Sequence, residues 1–172
     1  MKIAAALCLV VIAAGCGGTK TVTVTSTVTK TVTTPGVAPS PCKGDQLGAA
    51  FEAQAGSAAA GSITYVLRIK NSSPNTCVLS ILGLQLLDAN LNDVPTNATP
   101  LPTPARLAAG ASVSYEARFS PDVTGTGDNQ TGACEPVAHT LRATLTSGDK
   151  VDVPITPPTS VCEQGTMTLR AG

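Results

Sequence analysis

Beyond Cys42 the chain is built from short runs in which apolar and polar residues alternate, each run closed by Gly, Pro, Asn or Asp. Ile63, Tyr65, Leu67 and Ile69 alternate with Thr64, Arg68 and Lys70. Val113, Tyr115, Ala117 and Phe119 alternate with Ser112, Ser114, Glu116 and Arg118, and Leu141, Ala143 and Leu145 with Thr140, Arg142 and Thr144. A period of two sets one face of an extended strand against a core and leaves the other to water. Val151, Val153 and Ile155 follow the turn Ser147-Gly148-Asp149-Lys150 and close a hairpin. Gln46 to Ala55 and Cys77 to Asp88 read as two more strands, and Met167 to Arg170 as a short final one. About seven strands at roughly ten-residue spacing, with no long amphipathic helix, predict an all-β fold, an antiparallel β-sandwich. All four aromatic residues, Phe51, Tyr65, Tyr115 and Phe119, fall at expected interior positions. There is no tryptophan for an antibody-type core.

The N-terminus follows a different logic. Lys2 precedes Ile3 to Ala14, an uninterrupted apolar run of twelve residues. A bilayer-spanning helix needs about 20 such residues, so the run has the length of a signal-peptide core instead. It ends in Ala13-Ala14-Gly15-Cys16, which resembles a bacterial lipobox with Ala13 where Leu is usual. The resemblance implies diacylglycerol on the Cys16 sulfur, cleavage before Cys16, and a signal peptide of residues 1–15. A plain secretory signal cut at an A-x-A-like site is the alternative. Cys8 is a poor candidate for lipidation, because Leu7 precedes it and too little apolar run lies before it.

Residues 16–41 then form the expected lipidated tether. Thr19 to Thr34 carries nine threonines in sixteen positions, interleaved with Val and Lys, and Pro35, Pro39 and Pro41 continue its stiffness. With no turn partner of its own, the segment reads as an extended stalk that reaches at most about 85 Å at ~3.4 Å per residue. O-glycosylation of its threonines is a hypothesis.

The remaining cysteines, Cys42, Cys77, Cys134 and Cys162, are even in number, as expected of two disulfides in an exported domain. Hairpin register selects among the three connectivities. The turn at 147–150 sets Thr146 opposite Val151, and continuing outward brings Cys134 almost opposite Cys162. A first hairpin turning around Gly56 to Gly61 brings Cys42 almost opposite Cys77. The expected pairs are therefore Cys42–Cys77 and Cys134–Cys162. A metal site is the weaker reading, since no C-x-x-C spacing occurs and His139 is the only histidine.

Together, the lipobox, the Thr-rich tether and the four-cysteine β domain resemble a family of exported actinobacterial lipoproteins known as domain of unknown function 4232. Cys42 stands near the domain start, and a strand ends in Asn71 shortly before Cys77. A Leu-rich strand follows, then a Leu-x-x-Gly turn (Leu107 to Gly110) ahead of the Tyr115 strand, and the late pair Cys134 and Cys162. Where the family usually has Gly-Tyr-Pro after its second cysteine, Ile81-Leu82-Gly83 stands here. The resemblance implies an immunoglobulin-like fold for residues 42–172 and no established activity.

Motifs for chemistry are sparse. His139, beside Thr140 at a strand start, reads as exposed or capping and has no nucleophile pattern around it. Asp88-x-Asn90-x-Asn92 opens like a calcium loop, but Asp93 occupies the position that needs Gly and Thr99 that of the bidentate Glu. An Asx turn is the better reading. Asp122, Asp128 and Glu135 flank a polar loop able in principle to hold a weak extracellular calcium. The sequons at Asn71, Asn97 and Asn129 read as exposed loops.

Charge completes the picture. The 11 basic and 11 acidic residues cancel over the whole chain. Lys2, Lys20 and Lys30 lie before Cys42, so the domain itself is mildly acidic. With no basic surplus and few rings, nucleic-acid binding is not expected. No cofactor, metal or catalytic activity is expected either. The expected function is that of a lipid-anchored protein on the outer face of the cell membrane, presenting a non-catalytic domain to an envelope protein or cell-wall polymer. A wall spacer without a specific ligand and an accessory subunit of an envelope enzyme are the alternatives. The expected contact regions are the loops Asn92 to Pro104 and Asp122 to Glu135.

Overall fold

The structure, a computed structural model, describes residues 38–59 and 61–172. The signal peptide, Cys16 and most of the tether lie outside them. Eleven strands are described: β1 (Leu47–Ala53), β2 (Ile63–Asn71), β3 (Cys77–Leu79), β4 (Ile81–Leu87), β5 (Asp93–Val94), β6 (Asn97–Thr99), β7 (Ala105–Leu107), β8 (Ser112–Phe119), β9 (Ala138–Leu145), β10 (Lys150–Thr159) and β11 (Thr166–Ala171). Nine form one sheet in the order β5-β4-β9-β10-β1-β2-β8-β11-β6, and β3 pairs with β7 in a small second sheet. Among the described residues no helix is long and apolar enough to cross a membrane.

The long sheet curls into a sandwich-like all-β fold. Leu67, Tyr115 and Leu169 from one half and Leu86, Leu141 and Val153 from the other join a single buried cluster. Each such leucine contributes ~1.5–3 kcal/mol through burial. Phe51, Tyr65 and Phe119 stack through the centre with successive ring centroids 5.2 Å apart, tilted rather than parallel.

The expected strands all occur, with three differences. The run Cys77 to Asp88 divides at Ser80: β3 joins the small sheet and β4 the large one. The segment from Asn92 to Pro104 contains β5 and β6 and is not an unstructured loop; pairings of two or three residues are too short to leave a periodic trace. Two pairings are parallel, β1 with β10 and β11 with β6, where the alternation suggested a wholly antiparallel sheet.

Proline explains the first parallel pairing. β9 and β10 keep register from Lys150 opposite Thr144 to Pro154 opposite Thr140, then shift before Thr159 meets Ala138. Pro154, Pro157 and Pro158 have no N–H to donate to the ladder, so β10 leaves β9 there. Ile155 and Thr156 instead lie beside Phe51 and Glu52 of β1. The hairpin turn is also set differently from the expectation, since Val151 faces Ala143 rather than Thr146.

Asn71 is fully buried, contrary to the exposed-sequon reading. Its amide nitrogen donates to the carbonyls of Asn75, Leu107 and Ala108 at 2.7, 3.1 and 3.2 Å, and its oxygen accepts from the Ser73 N–H and hydroxyl. The Gly110 N–H closes the ring by donating to the Asn71 carbonyl at 2.9 Å. Gly110 has φ +73°, a conformation that side chains with a Cβ rarely adopt. The Asn71 strand end and the Leu107–Gly110 turn, two elements of the family pattern, are thus one hydrogen-bonded unit.

Cys42 is bonded to Cys77 and Cys134 to Cys162. At the first bridge the chain has not yet entered β1. The Val78 N–H donates to the Ser40 carbonyl and the Cys42 N–H to the Val78 carbonyl, so the end of the expected tether lies along β3.

Candidate functional site

The two long connections marked in the sequence build two different concavities. The first lies beneath residues 100–103, which leave β6 for β7. Pro100, Pro102 and Pro104 restrict this segment to extended backbone and remove three N–H donors from it. Pro102 turns inward and is buried, while Leu101 stays exposed. Between this wall and the strands below lies a groove of about 320 Å³, its floor made by Tyr115 and Leu169 and its rim by Arg170. Tyr115 is therefore both a core residue and part of an open surface. Burial raises the pKa of its phenol above the ordinary tyrosine range. Among the described residues no side chain or carbonyl bonds its hydroxyl, whereas the Tyr65 hydroxyl donates to the Pro157 carbonyl at 2.8 Å. The groove offers apolar contact with one phenol and one guanidinium at its edge.

The second concavity, lined by Gly127, Asn129, Cys134 and Glu135 among others, is polar. Its organising residue is Asp128, the one buried acid among the described residues. One carboxylate oxygen accepts from the Gly125 and Glu163 N–H groups at 2.8 and 2.6 Å, and the other from the Gln164 N–H at 2.8 Å. Glu163, Gln164 and Gly165 all have left-handed backbone, with φ of 56°, 55° and 74°. That conformation costs on the order of 1 kcal/mol for each residue with a Cβ. It turns successive N–H groups toward the carboxylate, and the Asp128 charge offsets the strain. Gly165 is required at its place: a Cβ there would stand 1.9 Å from the Pro95 carbonyl oxygen.

These hydrogen bonds, led by that from Gly125, hold the Asp128 pKa below the ordinary carboxylate range. Glu135 stands beside Asp128 and is displaced the other way, raised by desolvation and by the neighbouring negative charge. The pair resembles an acid–base couple in pKa alone. Asp128 has committed both oxygens to backbone donors, which leaves it a structural acceptor.

The sequence-marked acids are only partly brought together. Asp128 and Glu135 meet, but Asp122 lines a separate surface depression with Gly61 and Ser62. Asp128 and the sulfurs of Cys134 and Cys162 lie within 4.8 Å of one another, yet the sulfurs are bonded to each other and the carboxylate faces N–H donors. Such a setting binds anions and fits a cation poorly. Asp88 likewise accepts from the Asn90 and Asn92 N–H groups, both at 2.8 Å, and from the Asn92 amide at 3.0 Å. That is the Asx turn, and the Asn92 bonds lower the Asp88 pKa. His139 is half-buried at the second position of β9.

Sequence reasoning missed the Asn71 clamp and the left-handed turn. The strand end at Asn71 shortly before Cys77 was noted only as part of the family pattern, and Glu163 and Gln164 are residues that ordinarily give no warning of left-handed backbone. The family model described as domain of unknown function (DUF4232) matches residues 42–171. Neither a curated protein nor a solved structure matches the chain.

Proposed function

We propose, for a chain that belongs to the DUF4232 family over residues 42–171, that it is a lipid-anchored envelope protein whose β domain presents a groove to a protein partner. The groove beneath residues 100–103 is the observation that carries this reading. A spacer needs only a polar surface, whereas Leu101 keeps apolar area available on a stiff loop, over a groove whose lining includes the edges of Tyr115 and Leu169. The groove suits an extended apolar segment, with the Tyr115 hydroxyl and Arg170 placed to meet carbonyls or a carboxylate. No catalytic role is assigned, because the acid pair at the opposite loop is occupied in holding backbone.

Two linked experiments test this reading. A photo-crosslinker placed at Thr103 in intact cells should give adducts of discrete mass that disappear with Leu101→Ser. Adducts indifferent to that change, or none at all, would leave the spacer reading in possession. For the anchor, Cys16→Ala should move the protein out of the membrane fraction and remove a diacylglyceryl mass increment. Persistence in the membrane would refute the lipobox reading. Two acyl chains, at ~0.8 kcal/mol per buried methylene, hold a protein on a bilayer where one does so only transiently.

A further inference from the structure

The outward face of β2, β8 and β11 carries Arg68, Lys70, Arg118 and Arg170. These are four of the eight Lys and Arg residues from Cys42 onward. Glu116, and Glu52 on neighbouring β1, stand among them, and Glu163 lines a hollow beside Arg118 at the edge of the face. Register places the cations at four successive levels of the ladder. Lys70 lies opposite Ser112, Arg68 opposite Ser114, Arg170 opposite Glu116, and Arg118 between Thr64 and Thr168. Ladder geometry puts Lys70 about 7 Å from Arg68 and Arg118 about 8 Å from Arg170 at the backbone, with about 12 Å between Arg68 and Arg170, which flank β8. Among the described residues the one ion pair is Arg142–Asp152, on β9 and β10. Arg118 is instead held by the Ser62 hydroxyl, at 2.8 and 3.1 Å. A shallow polar hollow of about 200 Å³ runs between Arg118, Arg170, Thr64 and Thr168, with Glu116 also in its lining.

A mildly acidic domain has thus placed four of its cations outside the ion pair on one sheet face, beside serine and threonine hydroxyls. We infer that this face docks a linear phosphodiester polymer of the polyol-phosphate kind, its phosphates lying along Lys70, Arg68, Arg170 and Arg118. Guanidinium groups match phosphate oxygens in charge and geometry, and the serine and threonine hydroxyls add donors. The face bears no large apolar side chain beyond half-buried Val66, so it lacks what a basic surface uses to enter a bilayer. It also bears no aromatic ring on which bases would stack. Arg170 borders both this face and the groove, whereas Arg68 and Lys70 belong to the face alone.

The test uses the full chain in detergent and a fluorescent poly(glycerol phosphate), with binding read by anisotropy. Binding should weaken as salt is raised. The double variant Arg68→Glu/Lys70→Glu, which leaves the groove intact, should lose on the order of tenfold or more in affinity, and Glu116→Gln should gain a few-fold. Lys150→Glu, on the other half of the sheet, and Leu101→Ser, in the groove, should bind as the parent does. Unchanged affinity in the double variant, insensitivity to salt, or tighter binding to phosphatidylglycerol vesicles than to the polymer would each overturn the assignment. Because Leu101→Ser separates groove from face, failure here leaves the proposed protein contact standing, and failure there leaves this one.

Discussion

The segments 92–104 and 122–135 are similar in length, and both join strands, yet they are ordered by opposite means. The first is held by what its backbone lacks: proline removes donors and conformations, and Pro102 sinks into the core while Leu101 is left outside. The second is held by what its backbone keeps, because N–H groups from Gly125, Glu163 and Gln164 converge on one buried carboxylate beside a disulfide. A loop stiffened by proline can leave apolar surface free for a partner. One stiffened by a buried charge has its polar groups already committed. The same contrast locates the candidate contact surface at the first loop and a structural latch at the second.

The largest expected effect tests the latch. Replacing Cys134 and Cys162 by serine should destabilise the domain by ~3–4 kcal/mol, the chain-entropy value for a loop of this length, read by chemical unfolding. Next, Asp128→Asn puts an amide nitrogen where an N–H group already points. Amide exchange at Gly125, Glu163 and Gln164 should accelerate by on the order of tenfold or more, with exchange in residues 100–104 unchanged. Acceleration in both loops would break the contrast.

The acid pair makes a pH prediction. Asp128 is depressed, so its stabilising contribution is complete above the unfolded value of about 3.9 and is lost as pH falls through its lower folded value. Glu135 is raised, so its contribution is complete below about 4.3 and is lost as pH rises through its higher folded value. Glu135→Gln should therefore raise the melting temperature at neutral pH, and the gain should shrink toward zero below about pH 4. A gain independent of pH would mean that Glu135 does not feel the Asp128 charge. The smallest effect belongs to the other loop: Leu101→Ser should change stability by only ~0.5–1 kcal/mol, because the side chain is already partly exposed to water.

Much of the architecture was legible before any coordinates. Alternation located β1, β2, β8, β9, β10 and β11, and placed Phe51, Tyr65, Tyr115 and Phe119 inside, because a strand with one wet face must alternate. The register argument is instructive where it is loose. It set Thr146 against Val151, and the actual ladder sets Ala143 there, a three-residue slip reversed by the shift after Pro154, where Thr159 meets Ala138. Local chemistry announces that a turn exists more reliably than it fixes which residues face across it.

The candidate site was less legible. Residues 92–104 stood out by composition, but a groove is made by two segments, and Tyr115 and Leu169 carry no mark that links them to Leu101. Asn71 looked like a surface sequon, since nothing in Asn-Ser-Ser announces that three carbonyls await its amide. The cationic face was hidden for another reason: Arg68, Lys70, Arg118 and Arg170 come from three strands, and only their pairing makes them neighbours.

By itself, then, the sequence determined the class of the fold, the interior residues and the expectation of two crosslinks, all of which follow from periodicity and residue type along one stretch of chain. Tertiary structure alone decided the two parallel pairings, the left-handed turn around Asp128, the groove and the basic face. Each depends on groups distant in sequence coming within a few ångströms, where hydrogen bonding, desolvation and charge act on distance through space rather than on order along the chain.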